Sequence, residues 1–296
     1  MFLVSCLLFL VASPAQAKAV EETWLAGLYD DIAADLRSGR PLVVEVHIPL
    51  CDNRIIRCGG RGLGNGDEPR TNLYWATSGG FLGWFGRRGS GWRPVLRTER
   101  RGDVLSTRVW RRRFAPTSAW KRRGVRGSFD VFVVARAWRG TAIEQAMRTY
   151  SEQLAGRRSE RLVLDDGTKI DAGGGARIIS FVGHNGWMDV DRFDWTVLDG
   201  ADPKRRGAIA IACATAPYLK TALSSEHRVP LLMTATLLFA GAHGFEGTVV
   251  EIARGGSFGA IRRGAAKAYG KGQDKPWKRV LSAFTNPSDR RWRRFR

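Results

Sequence analysis

Histidine and cysteine are scarce in this chain, four of each among 296 residues. No two stand at C-x-x-C or H-x-x-x-H spacing, which removes the common zinc frameworks. His184, Cys213, Asp189 and His243 can be drawn together on paper, but without that pairing neither a metal nor another cofactor is expected. Acidic residues are few beside basic ones, 28 against 48, and lysine is the minor cation, nine against 39 arginines. Gly79-Gly80 and Gly62-Leu63-Gly64 lack the strand-then-helix setting with a lysine that a phosphate loop needs. The apolar run that opens the chain falls short of the ~20 residues of a membrane-spanning helix, and no internal repeat is visible.

The remaining composition describes a folded body. A hydrophobic content of 44% over this length excludes disorder and suits one large domain or two small ones. Met1 to Val11 reads as the apolar core of a secretory signal peptide, residues 1–17, cut after Ala15-Gln16-Ala17 and before Lys18. The protein is then expected to be exported, periplasmic or secreted, with no transmembrane anchor after cleavage. Leu3-Val4-Ser5-Cys6 imitates a lipoprotein site but has no hydrophobic stretch ahead of it. Removal of the signal leaves Cys51, Cys58 and Cys213. In an oxidising compartment Cys51 and Cys58 are placed to close a small loop, leaving Cys213 unpaired, either buried and inert or reactive. The formal charge of +20 raises affinity for polyanions without identifying one. Arginine standing where other chains place lysine or glutamine explains the same composition.

Periodicity divides residues 18–270 from a basic tail, 271–296. Glu22 to Leu36 reads as an amphipathic helix and Leu42 to Ile48 as a strand ending at Pro49-Leu50-Cys51-Asp52-Asn53. A long glycine-rich loop follows, and a helix is expected from Thr71 to about Phe85. Arg87 to Arg126 is dense in arginine and tryptophan and hard to assign beyond a strand at Val104–Trp110. Further strands are expected at Phe129–Trp138, Arg161–Leu164, Ala176–Gly183, Gly207–Ala212 and Val229–Thr236. A capping-box helix should open at Thr141 with Glu144, and others span Gly247–Ala253 and Ser257–Tyr269. The tail, with nine basic residues, reads as solvated. Strands alternating with helices predict an α/β fold, a doubly wound, mostly parallel sheet flanked by helices.

Two of these strands deliver chemistry. One ends at Val182-Gly183-His184-Asn185-Gly186, the other at Ala212-Cys213-Ala214-Thr215. Ligands of open α/β sheets gather at the carboxyl ends of parallel strands, so a thiol and an imidazole can meet there as nucleophile and base. The connection of about twenty residues between them exceeds the roughly 10 to 12 that one crossover needs. Thr215 and Pro217 look like the start of a helix whose dipole would favour a thiolate. The alternative is a small core cysteine in an alanine-rich strand and a turn histidine bonded to backbone.

The pairing of a strand ending in Gly-His with a following strand ending in Ala-Cys resembles the signature of caspase-like (clan CD) cysteine peptidases, which include metacaspases, gingipains, separase and the CHAT domains. The resemblance follows the order of elements from about residue 40 to 270 and is short in sequence. Leu50-Cys51-Asp52-Asn53, Asn72-Leu73-Tyr74-Trp75 and the His184 turn also resemble a group of exported bacterial proteins. The resemblance implies a caspase-like fold, His184 as general base and Cys213 as nucleophile. It also implies an oxyanion hole from the amides of Cys213 and of Asn185 or Gly186, although this chain has Asn185 where the family usually has glycine. The end of the first strand would line the substrate pocket, where Asp52 would select arginine or lysine; capping of the following turn is the other role open to Asp52. Asp189 and Asp191 are rival substrate-binding acids, or caps of a crossover helix. The expected function is an exported cysteine peptidase-like hydrolase acting on a peptide or protein substrate. The alternative is a catalytically inactive protein of the same fold that binds a polyanion or protein partner through its arginine-rich surface and tail.

Overall fold

Short β-branched runs bounded by glycine and proline become the inner strands of one sheet, and amphipathic segments cover both of its faces. The computed structural model describes residues 14–200 and 202–295. The expected signal core lies outside them, and the described chain begins within α1 (Pro14–Arg37). Next come β1 (Leu42–Pro49), α2 (Phe81–Gly86), β2 (Arg93–Arg101), β3 (Val104–Phe114), α3 (Ser118–Arg122), β4 (Phe129–Trp138) and α4 (Ile143–Leu154). The second half contains β5 (Ser159–Val163), β6 (Lys169–Gly173), β7 (Ile178–Val182), β8 (Arg206–Ile211), α5 (Ala216–Leu223) and β9 (Arg228–Thr234). It closes with α6 (Ala242–Ala253), α7 (Phe258–Gly272), α8 (Trp277–Val280) and β10 (Phe284–Thr285).

The eight-stranded sheet runs β10-β9-β8-β7-β1-β4-β3-β2. The five strands β9, β8, β7, β1 and β4 are parallel, with β10 antiparallel at one edge and β3 and β2 at the other. This is a doubly wound α/β fold. From β1 the chain runs to the edge strand β2, works inward through β3 to β4 beside β1, and then places β7 on the opposite side of β1. The strand order therefore reverses between β1 and β7, and the crevice at their carboxyl ends is where such sheets bind ligands.

Alternation along the strands sorts two cores. Ile209 and Ile211 of β8 join Val44, Val46 and Ile48 of β1 under α1, α6 and α7. Ala208, Ala210 and Ala212 face the opposite way, among the side chains of α4 and α5. On this second face β1 buries two polar groups, and each is satisfied. Glu45 pairs with Arg136 and accepts from the Gly173 amide at 3.0 Å. His47 accepts from Trp138 Nε1 at Nδ1, 3.0 Å, so its Nε2 carries the proton and donates to Gln153 Oε1 at 2.8 Å.

Several sequence expectations are corrected. Asn72 bonds Cys51 through both its backbone groups, holding 71–80 in turns, so only Phe81–Gly86 of the expected helix forms. A 3-10 turn at Gly140–Ala142 precedes α4, and Thr141 caps nothing. The expected crossover helix after Asp189 is replaced by 3-10 turns at Gly186–Met188 and Trp195–Leu198. Sequence reading missed β2, whose arginines and Pro94 mask periodicity yet suit an edge strand that must not pair further. β5 pairs with β6 in a separate hairpin.

The basic tail is not a solvated appendage. β10 pairs with β9, and buried Asn286 donates to the carbonyls of Leu231 and Phe258 at 3.0 and 2.8 Å. Trp292 is fully buried, its indole N–H donating to Glu21 of α1 at 2.7 Å. Large aromatic burial outweighs the cost of ordering this charged segment, whose Asp289 takes both Arg262 and Arg291.

Burial first of all lowers the His47 pKa to about 4, with Glu45 and the Gln153 hydrogen bond acting in the opposite direction. The unfolded chain binds a proton near the ordinary 6.5 that the folded chain refuses. The stability tied to neutral His47 is thus whole above about pH 6.5 and is lost as pH falls toward 4, on the order of 3 kcal/mol. Urea titrations across that window should show the loss, and His47→Gln should flatten it. An unchanged pH slope in the variant would exclude His47 as the source.

Candidate active site

Gly183 continues the β7–β8 pairing by donating to the Ile211 carbonyl at 3.2 Å, and a β-carbon on it would meet the Pro49 carbonyl at 3.2 Å. The ends of β1, β7 and β8 therefore converge, and His184 and Cys213 leave from neighbouring strands there. Asn185, fully buried, ties the two turns: its side-chain amide donates to the Cys213 carbonyl at 2.6 Å, and its Oδ1 accepts from the Trp187 amide at 3.1 Å. Below Cys213, Thr215 and Thr234 exchange hydroxyl contacts at 2.9 Å and bond the backbone of Ala210 and Ala212. Ala214 is held at φ +48°, a left-handed conformation unfavourable for a residue with a β-carbon, directly after the thiol.

His184 Nε2 lies 2.5 Å from Asp189 Oδ2. A carboxylate only accepts, so Nε2 carries the proton and Nδ1 presents the lone pair. Asp189, expected to bind substrate or cap a helix, instead orients the imidazole. Among the described residues Cys213 is the free cysteine, and it is partly exposed. Its thiol contacts the Leu238 carbonyl at 3.5 Å, and among the described residues it makes no hydrogen bond to His184. Tyr74 and Tyr269 stand close enough to sense it: burial raises both phenol pKa values, and the charge of Cys213 adds to each.

The amide donors are also distinguishable. Gly186 N–H donates to the His184 carbonyl at 3.2 Å, and Ala214 N–H to Thr236 at 3.0 Å. Among the described residues the amides of Asn185 and Cys213 have no partner. Of the two expected oxyanion pairings, the one through Asn185 therefore has both donors free, whereas Gly186 serves close packing, since a β-carbon there would meet Met147 at 2.5 Å.

Asp52 sits at the end of β1 but offers no open carboxylate. Arg54 donates its backbone N–H at 2.9 Å and its guanidinium at 2.5 to 3.1 Å, and hydrogen bonding to Arg54 holds the carboxyl below its ordinary pKa. Gly66 and Gly140 enclose it so closely that a β-carbon on either would meet it at 2.1 or 2.6 Å. The turn-capping role is the one realised, because a local arginine satisfies the acid before a substrate could. Asp191 makes no ion pair among the described residues. Cys51 and Cys58 are joined by a disulfide that closes the loop after β1.

Sequence reasoning missed Tyr74, Phe239 and Tyr269 around the thiol. Tyr74 belongs to a motif already noted and Tyr269 ends the expected helix Ser257–Tyr269, but no local signal places either beside the thiol, and none marks Phe239. Comparison of the chain with protein-family models, with curated proteins and with solved structures finds no match.

Iodoacetamide applied to the folded, unreduced protein should label the peptide that carries Cys213 and spare those carrying Cys51 and Cys58 until a reductant is added. Mass spectrometry of the digests reads this directly; prompt labelling of Cys51 or Cys58 without reductant would contradict the disulfide.

Proposed function

We propose that this protein is an exported cysteine hydrolase of caspase-like type that cleaves peptide bonds with Cys213 and His184. The observation that carries the proposal is the arrangement at the strand ends: a free thiol, a carboxylate-oriented imidazole and two unpartnered amides converge where the strand order reverses. The element order behind the resemblance supports the same reading, as does the Cys51–Cys58 disulfide for an oxidising location. Five of the seven large apolar side chains that stand exposed among the described residues, Ile55, Leu63, Met188, Tyr218 and Leu237, follow carboxyl ends of the parallel strands. Exposed apolar side chains after several of these strand ends favour a peptide over a small polar substrate.

In this mechanism the Cys213 thiol gives its proton to His184 Nδ1 as sulfur adds to the peptide carbonyl carbon. The thiol must first leave the Leu238 carbonyl, a weak interaction for sulfur. Such nucleophile–base contacts commonly close only around substrate. The amides of Cys213 and Asn185 receive the oxyanion, each such donor contributing about 3 kcal/mol. Collapse breaks the C–N bond, and the imidazolium returns the proton to the departing amine. Water then adds to the thioester, the C–S bond breaks and the thiol is restored. Asp189 is a positioning residue that keeps the Nε2–H tautomer and so leaves Nδ1 free to accept.

A peptide-reporter assay tests this. Cys213→Ala should abolish cleavage, and Asp189→Asn should lower kcat on the order of 10²-fold with KM little changed. Equal cleavage by Cys213→Ala would refute the mechanism.

A second reading, binding without catalysis, is favoured by the edge of the sheet. Arg93 and Arg101 on exposed β2 make no ion pair among the described residues, and Arg97 shares Glu99 with Arg108. A polyanion along β2 would be bound with an affinity that falls linearly in log–log with salt, at about 0.9 per phosphate neutralised. Retention of long-chain polyphosphate measured between low and high salt decides this, and salt-independent or absent binding removes it.

A further inference from the structure

The loop after β9 carries the thiol contact on one side and the wall of a second cleft on the other. Leu238 accepts from Cys213, and the next residue, Phe239, donates its amide to the Tyr269 hydroxyl at 3.1 Å and sets its ring 6.1 Å from that of Tyr74. Phe239 then lines a cleft of about 360 Å³ with Leu73, Trp84, His243 and Gln273. No charged side chain lines it, whereas four other clefts on this strongly basic protein are each bordered by arginine and a carboxylate.

The imidazole of His243 is the polar element of its wall. The residue is 2% exposed, Nδ1 is buried without a partner, and neither ring nitrogen has a hydrogen bond among the described residues. Trp84 meets the ring edge-on at 4.4 Å. Glycines keep the Nε2 edge clear: a β-carbon on Gly79 would lie 3.1 Å from Nε2, and one on Gly272 at 2.6 Å. Burial, ahead of the nearby Arg87, lowers the His243 pKa to about 4, so the ring is neutral at physiological pH and repels no uncharged guest. Nδ1 is sealed in, whereas Nε2 is not and has no hydrogen bond among the described residues, so a guest O–H or N–H in the cleft would supply the partner that Nε2 lacks.

We propose that this cleft receives an uncharged aromatic side chain of the peptide substrate, its ring against Phe239 and Trp84 and a ring hydroxyl or N–H on His243 Nε2. The proposal rests on Cys213 being the peptide-cleaving nucleophile. It replaces the basic specificity that an open Asp52 would have implied, and it ranks tyrosine above phenylalanine and both above arginine. Aromatic walls supply the apolar contact, and the imidazole supplies the discrimination between rings with and without a polar atom.

The test separates pocket from chemistry. With Cys213→Ala protein, binding of the N-acetyl methylamides of tyrosine, phenylalanine, leucine and arginine is followed through the His243 Cε1–H resonance. Saturable tyrosine binding at least tenfold tighter than arginine is expected. Gly79→Leu, which fills the cleft, should abolish it, and Phe239→Ala should weaken it, both with thermal melts confirming a folded chain. Cleavage of matched peptide reporters by the wild-type protein should follow the same ranking. Absent binding, or arginine bound as well as tyrosine, overturns the pocket. Aromatic binding without any turnover keeps the pocket and removes the hydrolase; turnover without aromatic preference, unaltered by Phe239→Ala, keeps the hydrolase and removes the pocket.

Discussion

The carboxamide of Asn185 is buried between two strand ends, and everything proposed for the site depends on where it holds them. It donates to the Cys213 carbonyl and accepts from the Trp187 amide, so the turn after β7 and the turn after β8 move as one. A glycine at this position would leave both backbone groups without that partner. With the bridge in place, the amides of Asn185 and Cys213 have no partner among the described residues, and His184 is turned toward Asp189. This buried carboxamide thus joins the two strand ends that hold His184 and Cys213.

Around that bridge the fold manages an excess of arginine by pairing it inward. Glu246 of α6 accepts from the indoles of Trp84 and Trp92, at 2.7 and 3.0 Å, and from Arg87 at 2.9 Å, with Arg112 at 3.7 Å. One buried carboxylate therefore organises the arginine- and tryptophan-rich stretch that periodicity leaves unassigned. Arg54 closes Asp52 in the same manner, and Arg177 binds Asp35 of α1 at 2.5 Å. Part of the basic surplus is therefore structural, while Arg93 and Arg101 on the exposed edge strand β2 make no ion pair among the described residues.

The inner strands were legible because burial on both faces demands continuous apolar runs, and the residues at their ends could be named from those runs alone. The alternation of isoleucine and alanine in β8 even contains the distinction between the two cores. The outer elements were not legible. The edge strand β2 is made of arginines, the crossover after His184 uses 3-10 turns in place of a helix, and the tail is folded by a tryptophan meeting Glu21, 271 residues earlier in the chain. In each case the decisive partner is remote, and local composition gives no sign of it.

Local sequence was enough to predict a mostly parallel α/β sheet with His184 and Cys213 at strand ends, because hydrophobic period marks the strands, while the length between them only allowed those strands to be neighbours. It could not say which carboxylate meets which cation. Asp52 faces Arg54 and is closed, Asp189 faces His184 and orients its imidazole, and the surroundings of Cys213 include Tyr74, Leu238 and Tyr269 from three separate segments. Charge pairing and aromatic packing act through space at a few ångströms, and only the folded chain sets which side chains come within that range.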